Sequence, residues 1–171
     1  ILKQQIKSLL TVIVPRHPER ADEIQEKLTS AGFKVARRSL RQKITDDTDF
    51  YLADTIGELG LFYRICDVVF IGGSLADKGG QNPLEAARLS CAIMFGPNMS
   101  NFSEIVRDLL ENKAALQLKD GTELAKATYV LMTEINVRAE LAYNATEVVK
   151  TGEALLGHIA KQVENKLVGK D

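Results

Sequence analysis

Six short apolar runs alternate with helix-length segments along this chain, and that alternation leaves few folds open. Residues 11–14, 33–37, 50–53, 67–71, 91–95 and 114–118 have the length and character of strands. Between and after them, 19–30, a short segment from Thr55 to Ile65 or Cys66, 82–89, 101–110 and 122–132 read as helices, and 1–10 reads as the end of one. From Asn136 to about Leu167 an apolar stripe recurs at Val137, Leu141, Ala145, Val148, Gly152, Leu155, Ile159 and Val163. Its steps of three and four predict one long helix, with Gly152 its weakest point. Such alternation predicts an α/β fold, a Rossmann-like parallel sheet with helices on both faces. The β-branched run at 68–71 suits a strand buried on both sides. At 171 residues the chain fits a single domain. The charged stretch 38–49 reads as a loop too short to link domains.

Composition excludes several classes of function. The net charge of −1 offers no general polyanion-binding surface, which argues against nucleic acid as a partner. Cys66 and Cys91 lie far apart in apolar surroundings and read as buried free thiols. Two histidines and no His/Cys cluster point to no metal site. No run approaches the ~18 apolar residues of a membrane span, and no signal peptide is visible. The chain starts at Ile1 inside an amphipathic segment, so it reads as a fragment of a longer protein.

Three strand-to-helix junctions carry residues with chemistry. Pro15-Arg16-His17 follows the first strand, Thr55-Ile56-Gly57-Glu58 the third, and Gly72-Gly73-Ser74 through Gly79-Gly80 to Asn82-Pro83-Leu84-Glu85 the fourth. In an open parallel sheet these junctions lie at the carboxyl edge of the strands, where ligands bind, and are expected to converge on one crevice. Asn82 suits an N-cap, Pro83 the first helical position and Glu85 the third; Thr55 and Glu58 have the spacing of a capping box. Glu58 and Glu85 therefore read either as caps or as acceptors for a ribose diol or a base amino group. Arg16 between prolines reads as a phosphate contact, and the amides near Gly72 and Gly73 and at 82–85 could hold the same phosphate. His17 reads as a cap or supporting residue more readily than as a catalyst, Asp54 as a turn acid and His158 as structural or exposed. Neither a Walker A motif nor a GxGxxG fingerprint is present.

Pro15-Arg16-His17-Pro18-Glu19-Arg20, Asp54-Thr55-Ile56-Gly57-Glu58-Leu59, Phe70-Ile71-Gly72-Gly73-Ser74-Leu75 and Gly79-Gly80-Gln81-Asn82-Pro83-Leu84-Glu85 together resemble the carboxyl-terminal half of the Kdo transferases. These enzymes move 3-deoxy-D-manno-oct-2-ulosonic acid (Kdo) from CMP-Kdo to the lipid A precursor. The match runs over roughly residues 5 to 165; Gln81 stands where the family more commonly has His. The resemblance implies the C-terminal half of a GT-B glycosyltransferase, a donor-binding domain lacking its N-terminal acceptor domain and inactive alone. It implies donor contacts at Pro15, Arg16, Ile56, Gly57, Glu58, Gly72, Gly73, Ser74, Asn82, Pro83, Leu84 and Glu85, with His17 and Gly80 as further candidates. It implies no cofactor and no metal, and no catalytic residue here, because the family's base is a glutamate in the other domain. The implied partners are CMP-Kdo, the lipid A precursor and, for the intact protein, the cytoplasmic face of the inner membrane. Two alternatives stand beside this reading: another GT-B nucleotide-sugar enzyme, such as a UDP-sugar transferase or a 2-epimerase, and a non-catalytic domain that binds a phosphorylated ligand.

Overall fold

All six predicted strands form, in two three-stranded sheets, and within each sheet every pairing is parallel, because the connections there are long enough to return the chain to the same end. The structure, a computed structural model, describes residues 2–168; of Gln4 and of 155–168 it describes the backbone only. The elements run α1 (Leu2–Gln5), β1 (Thr11–Ile13), α2 (Ala21–Ser30), β2 (Val35–Arg37), β3 (Phe50–Leu52), α3 (Leu59–Ile65), β4 (Val68–Ile71), α4 (Leu84–Arg88), β5 (Ala92–Phe95), α5 (Ser103–Glu111), β6 (Ala115–Gln117), α6 (Gly121–Thr133) and α7 (Ile135–Val168). Single 3-10 turns, Pro18–Arg20 and Ser100–Phe102, lead into α2 and α5. The chain divides into two compact units, Ile1–Phe62 and Tyr63–Asp171.

The first unit holds a three-stranded sheet in the order β1-β3-β2, with Ile13 opposite Leu52 and Leu52 opposite Arg37. Ala36, Tyr51, Ala53 and Phe62 form its buried cluster, with Leu10, Val12 and Val14 packed against it. Phe33 meets Phe50 edge-to-face at 5.0 Å.

The second unit holds β4-β5-β6. Every residue of β5 is buried, so its alternating side chains meet two different cores. Ile93 and Phe95 join Ile71, Ala87, Leu109, Ala145 and Val149 on one face. Ala92 and Met94 join Leu131 and Leu141 on the other. Helices α4, α5 and part of α7 thus cover one face, and α6 with Leu141 of α7 the other, as the apolar character of these strands predicts.

The long helix forms, but only part of its predicted stripe is buried. Leu141 and Ala145 lie in the cores and Val148 packs against one of them beside Val149, which the stripe did not include, whereas Val137 and Gly152 are exposed. The helix passes through Gly152 without a break. Leu155, His158, Ile159 and Val163 have side chains outside the described residues. Cys91 is buried as expected, and burial pushes its thiol up to about 11; Cys66 is only half-buried. Among the described residues no helix is long and apolar enough to cross a membrane.

Candidate functional site

In the first unit the register of the sheet brings three junctions to one edge. Residues 14–17, 53–58 and 38–42 all leave the carboxyl ends of neighbouring parallel strands. Two of these junctions carry predicted site residues. Arg16 is exposed and, among the described residues, makes no hydrogen bond or ion pair, while Pro15 is half-buried. Ile56 is 88% exposed. Gly57 sits at φ +84°, a left-handed conformation that favours glycine. His17 is exposed, with its Nδ1 3.3 Å from a carboxylate oxygen of the equally exposed Glu19.

That Gly57 conformation corrects the expected capping box. A helix cannot run through it, so α3 starts after it, with the Glu58 carbonyl accepting from Leu61 N at 3.0 Å. The Glu58 carboxylate turns instead to the loop after β2. Arg38 Nε donates to Oε2 at 3.1 Å and Nη2 to Oε1 at 2.6 Å, and the Thr55 hydroxyl also donates to Oε2. The Arg38 guanidinium, with Thr55, holds this carboxyl down at about 2. Arg38, Thr55 and Glu58 line a cleft of about 520 Å³, floored by Tyr51 and walled by Ser39 and Gln42.

Asp54 is also not a simple turn acid. Its side chain is 2% exposed and accepts from Arg37 Nε and Nη2 at 2.9 and 2.7 Å. Ser39 N and Oγ donate to it at 2.9 and 2.6 Å. Burial alone would raise this carboxyl, but the bonds from Ser39 and Arg37 outweigh it and hold it below the ordinary carboxylate range.

In the second unit the glycine-rich junction after β4 is built against the exit of β5. The buried Ser74 hydroxyl donates to Ile71 O at 2.5 Å and accepts from Gly96 N at 2.8 Å. Ser74 O accepts from Asn98 N at 2.9 Å. Ser74 is therefore built into the core, with its hydroxyl engaged in these two bonds. Gly79 and Gly80 are also buried, at φ +73° and +71°, where added Cβ atoms would strike the side chains of Asn101 and Met99. Their glycine identity follows from this left-handed backbone, with the packing adding to it. Gly72, by contrast, is exposed and Gly73 half-buried, at a turn with φ +75°.

Asn82 acts as the cap it was expected to be: its Oδ1 accepts from Leu84 N at 2.9 Å. Pro83 is buried, takes helical angles, and its carbonyl accepts from Ala87 N. Glu85 does not complete a capping box; its carboxylate is exposed, and its charge, after burial, helps push Tyr63 up to about 12. Asn82, Leu84 and Glu85 line a second cleft of about 410 Å³ with Arg64 and Arg88.

Sequence reasoning missed Arg37, Arg38 and Ser39, which organise the first unit's cleft. The signal was available, since they leave a strand at the same edge as the other junctions.

No family model matches the chain. It is 37% identical over 158 residues to the 3-deoxy-D-manno-octulosonic acid transferase of Rickettsia felis, covering 91% of this chain and 34% of that protein. It is 35% identical over 150 residues to the enzyme of the same name from Haemophilus influenzae, covering 87% and 35%. Among solved structures it matches the C-terminal CMP-Kdo binding domain of WaaA from Acinetobacter baumannii, at 34% identity and a TM-score of 0.82, over 86% of this chain and 77% of that one. The chain belongs to the Kdo transferase family. It spans about a third of the length of the curated Kdo transferases it matches. Its fold is that of the carboxyl-terminal domain of this GT-B family. A C-terminal domain of a group 1 glycosyl transferase from Francisella tularensis, 18% identical with a TM-score of 0.62, shares the fold alone.

Proposed function

We propose that this chain is the donor-binding part of a Kdo transferase, and that the intact protein moves Kdo from CMP-Kdo to a lipid A precursor at the cytoplasmic face of an inner membrane. The observation that carries the reading is the likeness to a domain described as CMP-Kdo binding, over three quarters of that domain's length. The arrangement of the residues supports it. Arg16 is an exposed cation at the carboxyl edge of a parallel sheet, where anionic ligands bind. Glu58 is an ionised acceptor on the junction after β3, the strand paired with β1. The donor contacts proposed in the first unit are Pro15, Arg16, Ile56, Gly57 and Glu58, and in the second Gly72, Gly73 and Asn82 to Glu85.

The chemistry assigns these residues a supporting role. The acceptor hydroxyl bonds to the sugar's anomeric carbon as the bond from that carbon to the CMP phosphate breaks. Negative charge then gathers on the phosphate, where Arg16 stabilises it. The proton leaves the acceptor to a base supplied by the rest of the protein. This chain alone is expected to bind donor nucleotide weakly and to transfer nothing.

An NMR titration of the chain with CMP, with UMP and AMP as controls, tests the reading. CMP should shift the amides of Arg16, Gly57 and 82–85, and Arg16→Ala should weaken binding by about tenfold, the loss of one phosphate contact. Stronger shifts with UMP would favour a UDP-sugar enzyme. Indifference to all three nucleotides would sink the donor-site reading.

A further inference from the structure

The residue on which the first unit's cleft turns is Arg38, which none of the recognisable motifs contains. Its two chain neighbours are both fastened to one buried carboxylate: Arg37 by two guanidinium bonds and Ser39 by its amide and hydroxyl, all to Asp54. The loop beyond is closed as well. Arg41 N donates to Arg38 O at 3.0 Å, Gln42 N to Arg37 O at 3.1 Å, and Gln42 Oε1 accepts from Arg37 N at 2.9 Å. Arg41 takes φ +52° to make that closure. The backbone of Arg38 is thereby fixed from both sides, and its planar fork meets the Glu58 carboxylate with one bond to each oxygen.

A carboxylate has about four acceptor positions. Arg38 fills one on each oxygen and Thr55 a second on Oε2. One position, on Oε1, is left. We propose that Arg38 is a positioning residue for donor recognition, holding Glu58 so that its remaining acceptor position takes a single hydrogen bond from a hydroxyl or amino group of the donor nucleoside. This rests on the donor-site reading above. It adds that Glu58 is an obligate acceptor whose orientation is set by Arg38.

The test uses the chain labelled with ¹³C at glutamate Cδ, as wild type, Arg38→Gln, Arg38→Lys and, as a control remote in sequence and exposed on α5, Arg107→Gln. Arg38 is 39% exposed at its side chain, so its replacement should leave the chain folded; amide spectra check this. In the wild type the Glu58 carboxyl should titrate near 2, and in Arg38→Gln move toward its ordinary 4.5. At pH 7, CMP binding should weaken about tenfold in Arg38→Gln, the loss of one well-placed charge-assisted bond, and less in Arg38→Lys, which keeps the charge without the fork. CMP affinity unchanged in Arg38→Gln, or Glu58 titrating as in the wild type, overturns the role of Arg38 alone. A wild-type chain that does not bind CMP overturns the donor-site reading and this role with it, while the Glu58 titration still reports separately on the Arg38 contact.

Discussion

Replacing Gly96 by alanine should destabilise the chain by about 3 kcal/mol or more, the upper range for forcing extra atoms into a packed interior. A Cβ at this position would stand 2.4 Å from the Ser74 carbonyl oxygen, 2.5 Å from its carbon and 2.7 Å from Leu75 N. These are backbone atoms, so no side chain can swing aside. Nor can the backbone yield cheaply. Gly96 N donates to the Ser74 hydroxyl, Asn98 N to the Ser74 carbonyl, and Asn98 Nδ2 to Leu75 O, so any separation breaks bonds made by buried groups. For a chain of this size the loss corresponds to a fall of about 6–12 °C in Tm. Gly121→Ala is the control: nothing lies within 4 Å of its Cβ, and it opens α6, where alanine is neutral or mildly stabilising. Thermal unfolding of the two variants side by side checks this. Equal melting temperatures would show that the exit of β5 does not lock the turn after β4.

That contact also shows where the sequence was readable and where it was not. The strands were legible because each is a short apolar run buried by tertiary packing on at least one face, which leaves a pattern in the residues themselves. The two faces of β5 could be anticipated from an unbroken Ala-Ile-Met-Phe. Pairings between distant segments leave no such trace. Nothing local marks Gly96 as the residue that passes under Ser74, or Gly79 and Gly80 as those that make room for Asn101 and Met99. The same holds for side-chain partners. Thr55 and Glu58 have the spacing of a cap, but a cap forms only if no stronger partner competes, and Arg38, 20 residues away, wins with two charged bonds. Asp54 reads as a turn acid until β2 and β3 are seen to lie side by side, which brings Arg37 and Ser39 against it. Arg16, Ile56, Gly57 and Asn82 were singled out from local pattern, and the structure places the first three at one sheet edge with Arg16 and Ile56 exposed.

The Arg37–Asp54 pair should be the first unit's costliest single break. Arg37→Met leaves a carboxylate with a 2% exposed side chain and no cationic partner, which costs about 3–5 kcal/mol. Removing both charges, as Arg37→Met with Asp54→Leu, should recover much of that loss, because no uncompensated charge remains inside. The pH dependence separates this account from a simple loss of packing. In the wild type, Asp54 is held below its ordinary 3.8, so its contribution is fully present above 3.8 and is lost as pH falls through the lower, folded value. Without Arg37 one of the groups that lowers this carboxyl is gone while burial still opposes its ionisation, so it lies above its wild-type position even with the Ser39 bonds kept. The variant therefore gains less stability than the wild type as pH rises, because its folded state gives up this proton later. The deficit of Arg37→Met relative to wild type should therefore be small near pH 3 and reach its full size by pH 7. Urea unfolding at pH 3, 5 and 7 measures it, and a deficit constant with pH would mean that Arg37 stabilises through its aliphatic stem and its contacts to Asp22 and Gln25 instead. Since Asp54 also fastens Ser39, loss of this pair should free the backbone on both sides of Arg38, and Glu58 would then lose its fixed orientation without any change to the residues that contact it.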